Sequence, residues 1–154
     1  MGILKQLKNI DSPLEVCRFL TLASADAGIG RPQFRLKIAL TDLDEGAKIE
    51  EDYPLRNDDT ESGRAQQIES RHKFGDLMVR GWEGLTPANL AFVSRRFMQM
   101  GGEDQLGDAK EIPYDDDNRN VFMEWIDKDT VGAIIGGALN TVAFAEERAR
   151  AKKK

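Results

Sequence analysis

The sequence predicts a mainly α protein of the α+β class, a helical single domain with a small N-terminal β element. Three observations predict it. Phe34, Leu36, Ile38 and Leu40 alternate with Arg35, Lys37 and Ala39, the period of two expected of a half-buried strand. From Ala65 onward the apolar residues fall three and four apart instead, the spacing of a helix face. Two helix starts stand out in that second part: Thr86-Pro87, a hydroxyl cap followed by proline, and the acidic run Asp115-Asp116-Asp117-Asn118. A chain of 154 residues is long enough for one domain with a real core and short for two. Residues 1–154 are therefore read as one unit: a β-containing segment (1–41), an acidic mobile connection (42–63), a helical body (64–150) and a basic tail (151–154).

Ser12, Pro13 and Glu15 offer a capping box. Val16, Cys17, Phe19, Thr21 and Leu22 nevertheless favour extended backbone, and Phe19 to Ala23 reads as a short strand. A helix is the rival for residues 12–24 and again for 33–40. Ala27-Gly28-Ile29-Gly30-Arg31-Pro32 reads as a loop. Asp42, Asp44, Gly46 and Ile49 have the look of a calcium loop, but the glycine falls at the fifth place and Tyr53 stands where the bidentate acid belongs, which excludes an EF-hand. From Asp42 to Glu61 nine acids stand against Lys48 and Arg56, with Pro54 and the turn-prone Asn57-Asp58-Asp59, the pattern of a solvated connection.

A helix is expected to resume after Ser62 or Gly63, with Ala65, Ile68, His72 and Leu77-Met78-Val79 on one face. His72 at such a place is read as a packed or hydrogen-bonded histidine, since no ligand partners accompany it. The next helix runs from Pro87 to Met100 with Leu90, Val93, Phe97 and Met100 as its buried stripe, and Gly101-Gly102 stops it. Glu103 to Glu111 is a polar loop apart from Leu106. Asp116 or Asp117 caps a helix bearing Val121, Phe122, Trp125 and Ile126, and Asp129-Thr130 restarts the chain into one last helix. The predicted core is Ile68, Leu77, Val79, Trp82, Leu90, Val93, Phe97, Val121, Phe122, Trp125 and Ile134, with Trp82, Tyr114 and Trp125 as anchors.

Gly132, Gly136 and Gly137 each cost about 1 kcal/mol relative to alanine in an exposed helix. Their presence implies a close neighbour. Tight internal packing is the plainer explanation, and a partner groove formed by Gly132, Ile134, Ile135, Gly136, Gly137 and Leu139 is the functional one.

Several classes of function are disfavoured. A net charge of −5 supplies no general attraction for phosphate backbones, and the basic residues Arg148, Arg150 and Lys152 to Lys154 sit where they complement the end of a helix. Cys17 is the sole cysteine, which removes any intramolecular disulfide. Neither a signal peptide nor a membrane span is expected; Val131 to Ala145 comes nearest and is too short. The acids at 115–117 are read as capping groups rather than catalytic carboxylates. No P-loop, dinucleotide fingerprint or metal-binding spacing occurs, so no cofactor is expected.

Three phrases in order resemble the bacteriophage tail assembly chaperones of the long-tailed phages. They are Leu22-Ala23-Ser24-Ala25-Asp26 ahead of Phe34-Arg35, then Arg71 to Leu85 ending in Gly81-Trp82-Glu83-Gly84-Leu85, then Ile112-Pro113-Tyr114 followed by Asn118, Phe122 and Trp125. The chain departs from the family pattern in carrying a whole helix, Pro87 to Met100, between the second and third phrases. The resemblance implies a non-enzymatic protein that keeps the tape measure protein soluble while tail tube subunits assemble around it. It further implies action in the cytoplasm of the infected bacterium and absence from the finished virion, with self-association left open. The alternative class is a phage accessory protein that binds nucleic acid or a host protein.

Overall fold

Phe34, Leu36 and Ile38 are completely enclosed, while Lys37 between them is exposed. Their strand, β2 (Phe34–Ala39), pairs antiparallel with β1 (Cys17–Ala23) on one side and β3 (Val79–Glu83) on the other, giving the order β1-β2-β3. This computed structural model describes residues 2–9, 14–23, 34–54, 60–107 and 110–152. The capping box at Ser12-Pro13, the glycine loop at 27–32, the turn at 57–59 and the last two lysines lie outside those residues. The protein is mainly α with a small three-stranded antiparallel sheet, as the sequence predicts.

The third strand is a correction. Val79 was expected on the helix, but the helix, α2 (Glu61–Met78), ends at Met78 and the chain turns directly into β3. Val79 and Trp82 bury themselves by completing the open edge of β2, a tertiary gain that local periodicity does not report. The buried face of α2 also differs from expectation. It carries Gly63, Ser70, Phe74, Gly75 and Met78, and Ile68 is exposed.

The acidic segment is another correction. Leu43–Asp52 forms a helix, α1, whose N-cap Asp42 accepts a hydrogen bond from the Asp44 amide at 3.1 Å. Asp44 and Glu45 in its first turn suit the positive end of the helix dipole, so clustered acids here start a helix rather than prevent one.

The helix expected over Pro87–Met100 is two, α3 (Pro87–Val93) and α4 (Arg95–Gln99). Ser94 sits at the break with extended backbone, accepting from the Phe97 amide at 3.0 Å and donating to the Trp125 carbonyl at 2.5 Å. Asp127 fastens the same spot: its amide donates to Val93 O and its carboxylate accepts from the Arg95 amide, both at 2.9 Å. The predicted polar loop contains a short helix, α5 (Gly102–Leu106). Asp115, one residue earlier than expected, caps α6 (Asp116–Trp125) by accepting from the Asn118 amide at 2.7 Å. Val121 faces outward on α6 and Met100 is exposed beyond α4, so neither joins the core.

The last helix is also two, α7 (Lys128–Leu139) and α8 (Thr141–Lys152). Asn140 separates them, and its side chain accepts from the Ala143 amide at 3.1 Å. Both lie against the inner face of the sheet. Arg18 on β1 donates to the Gly137 carbonyl at 3.0 Å, and its guanidinium stands 4.9 Å from the centre of the Phe144 ring.

The seam between α2 and α6 is closely fitted. A Cβ at Gly75 would stand 2.7 Å from Met123 Cγ, so glycine is what lets the helices approach. Arg71 Nη1 donates to the carbonyls of Met123 (3.0 Å), Glu124 (3.3 Å) and Ile126 (2.6 Å), acceptors that a helix end leaves without partners. Burial pulls the Arg71 guanidinium below its ordinary value; Asp127 opposes the shift and Arg96 adds to it. His72, as expected, is hydrogen-bonded, 2.9 Å from Glu124. A 3₁₀ helix, Ile3–Asn9, has none of its described residues buried.

Candidate functional site

Trp82 is where the sheet meets the helical cap. Its indole N–H donates to the Ile112 carbonyl at 2.7 Å, and its ring meets Tyr114 edge-on at 5.0 Å and Phe122 at 5.4 Å. The Ile112 amide donates to Leu85 O at 2.7 Å, and Tyr114 donates from its hydroxyl to Val79 O at 2.9 Å. The Gly-Trp-Glu-Gly-Leu and Ile-Pro-Tyr phrases, far apart in sequence, are thus bound to each other. Trp82 is buried and Tyr114 half-buried at this junction. Trp125 is half-buried, with Phe97 edge-on at 6.3 Å and the Arg96 guanidinium 4.0 Å above its ring.

Beside this junction lies an apolar cavity of about 360 Å³. Trp82, Leu85, Leu90, Phe97 and Phe122 form its inner part, and Met100, Leu106 and Val121 stand at its mouth with 59%, 47% and 51% of their surface exposed. None of its described lining residues is titratable. Two polar side chains, Gln105 and Asn118, line it, and both spend N–H groups on nearby main chain: Gln105 on Met100 O at 3.3 Å and Asn118 on Pro113 O at 2.8 Å. Such a lining offers apolar contact and shape without acid–base or nucleophilic chemistry.

The glycines of this region shape the cavity. Gly101 (φ 67°) and Gly107 (φ 64°) bracket α5 in backbone conformations that side chains disfavour. Gly102 leaves the space that the Phe97 ring fills. A second hollow, between α3, α4 and α5, exposes Phe92 and Met98. Exposed carboxylates at Glu103, Asp104, Glu111 and Asp117 flank the lining residues in the chain, and residues 102–118 hold seven acids against Lys110 alone.

The groove predicted on α7 divides into two parts. Ile134 is completely enclosed, and the open side of Gly137 faces Ile38, Arg18 and Leu20 at 3.1 to 3.2 Å, so both serve internal packing. Gly132 and Gly136 have nothing within 4 Å of a would-be Cβ, and Ile135 and Leu139 are half-buried beside them. The residues at the cavity mouth were missed as a site. Periodicity puts Met100 on the buried stripe of its helix and Val121 in the core, and the one available signal is Leu106, a lone large apolar residue in a polar stretch.

Other candidates for chemistry are weak. Burial raises the Cys17 thiol above its ordinary value, and the nearby Glu15 adds to the shift, against Lys37 and Arg80, which opposes thiolate formation. Among the described residues no three His, Cys, Asp or Glu side chains come together as a metal site. No helix among the described residues is long and apolar enough to cross a membrane. Comparison with family models, with curated proteins and with solved structures found no match.

Proposed function

We propose that this protein is a non-enzymatic bacteriophage tail assembly chaperone that holds the tape measure protein in solution, in the host cytoplasm, until tail tube subunits enclose it. The observation that carries the reading is the apolar cavity with Met100, Leu106 and Val121 exposed at its mouth. An aggregation-prone helical client presents rows of apolar side chains, and a cavity of this lining accepts them without demanding a particular polar pattern. Two exposed methionines, Met98 and Met100, suit a surface that must fit many similar helix faces. Further support comes from the phrases that resemble the family, two of which build the wall of this cavity. The open pair Gly132 and Gly136 on α7, with Ile135 and Leu139, offers a second place for a client helix to lie.

Co-expression with the tape measure protein tests this. The wild-type chain is expected to keep the client in the soluble fraction, and a Leu106→Glu/Val121→Glu double variant to lose that ability while its own unfolding free energy stays within about 0.5 kcal/mol of wild type. Equal client solubility with both proteins would remove the cavity from the reading. A wild-type chain that neither binds nor solubilises the client would end the chaperone assignment.

A further inference from the structure

We infer that the outer edge of β1 pairs with the same edge of a second copy of this chain, so that the two sheets join into one across a two-fold axis. The inference goes beyond the client reading and does not rest on it. The Leu40 amide donates to Val16 O at 2.7 Å, which makes Val16 and Leu40 a hydrogen-bonded pair in the register that sets Cys17 opposite Ala39. Along an antiparallel ladder such pairs alternate with pairs whose main-chain groups turn away from each other. Arg18 and Leu20 therefore spend their N–H and C=O groups on β2, and Cys17, Phe19 and Thr21 turn theirs outward. No hydrogen bond among the described residues reaches those outward groups. The far side of the sheet differs. There the 112–114 segment lies against β3, with Tyr114 donating to Val79 O at 2.9 Å and the Trp82 indole to Ile112 O at 2.7 Å.

The apolar layer stops short at the same edge. On β2 the inward side chains Phe34, Leu36 and Ile38 are completely enclosed, whereas on β1 Leu20 and Leu22 are only half-buried. Natural edge strands are commonly guarded by lysine or proline, and β1 has neither. Its one charge, Arg18, is held on the inner side by the Gly137 carbonyl and the Phe144 ring.

A second β1 fits this edge residue for residue. The register shift between Thr21 and Ala23 ends the regular stretch at Thr21, and an antiparallel pairing centred on Phe19 uses all of it. Phe19 meets the partner's Phe19 and Cys17 meets the partner's Thr21, each at a hydrogen-bonded position, so every outward N–H and C=O gains a partner. Arg18 falls opposite the partner's Leu20. No like charges meet, and the arginine's aliphatic stem comes to the half-buried leucine. The contact is isologous and consumes both edges, so association stops at the dimer. Main-chain bonds and apolar contact hold it, so added salt has little effect.

The test uses the full-length protein. Sedimentation across a concentration series is expected to show monomer and dimer and nothing larger. Thr21→Pro removes an outward N–H that β2 does not use; it is expected to weaken dimerisation about tenfold or more, with the unfolding midpoint unchanged at a concentration where both proteins are monomeric. Thr21→Cys reads the register, because hydrogen-bonded residues facing each other across an antiparallel pair have Cα atoms about 5.5 Å apart, a separation that a disulfide spans. With oxidised glutathione this variant is expected to yield a dimer bridged to the partner's Cys17. The wild-type chain, whose Cys17 does not face its own copy, is expected to stay uncross-linked. A wild-type protein that remains monomeric at all concentrations overturns the proposal. So does growth past the dimer, a folded Thr21→Pro variant that dimerises as well as wild type, or a Thr21→Cys dimer that does not cross-link. Client binding is read separately, in the co-expression experiment.

Discussion

The seam between α2 and α6 and the cap formed by α3, α4 and α5 are held by different means. The seam is cross-braced over long sequence separations: Arg71 gathers three carbonyls at the end of α6, His72 meets Glu124, and the buried Arg119 reaches Asp76 at 3.3 Å. Two of the cap helices are five residues long; the start of α4 is tied to the end of α6 at the single break around Ser94, and α5 is bracketed by glycine turns. Long-range main-chain contacts fix a helix pair tightly, whereas short capped helices can enclose a space without filling it. The seam is closely packed, and the cap is where large apolar side chains such as Phe92, Met98, Met100 and Leu106 remain exposed.

The sharpest way to break this contrast is at the junction. Trp82→Ala removes a ring that both regions share and leaves the Ile112 carbonyl without its partner; a loss of about 3 to 5 kcal/mol is expected in urea unfolding. A loss below about 1 kcal/mol would mean that sheet and cap are stable independently. Next in size is Arg71→Met, which leaves the seam's carbonyls unpaired and is expected to cost about 1 to 3 kcal/mol. Hydrogen exchange should then rise first at the end of α6, and a uniform rise across the cap as well would blur the distinction drawn here. The smallest effect separates two neighbouring glycines of α7. Gly136→Ala, with open space around it, is expected to raise stability by up to about 1 kcal/mol. Gly137→Ala, facing Ile38 and Leu20 at 3.1 to 3.2 Å, should lower the melting temperature instead.

The elements that were legible in the sequence owe their form to local physics. Alternation marked β2, and Thr86 before Pro87 marked the start of α3. What stayed hidden depends on a distant partner. Val79 leaves a helical stripe only because β2 has an open edge to fill, and Ser94 breaks a periodic helix because the Trp125 carbonyl and Asp127 come to meet it. Met100 and Val121 keep the spacing of core residues, and nothing in that spacing says that the opposing wall is missing. The site was hidden for the same reason, since a cavity is defined by what does not fill it. The small residues of α7 drew attention, and Gly137 does make the close approach they suggested, but to the protein's own sheet.

The covering of β2 has a consequence for synthesis. Phe34 packs edge-on to Phe122 at 5.9 Å, and Ile38 lies against α7 at Gly137, so the apolar side of the hairpin made first is closed by helices made late. A two-stranded hairpin is marginal in water by itself, and at about 5 to 20 residues per second the ribosome leaves it waiting on the order of ten seconds for α6 and α7. During that interval the nascent chain displays Phe34, Leu36 and Ile38 together, an adhesive strip in a crowded cell. A protein proposed to shield another from aggregation passes, each time it is made, through a stage in which it needs the same shelter.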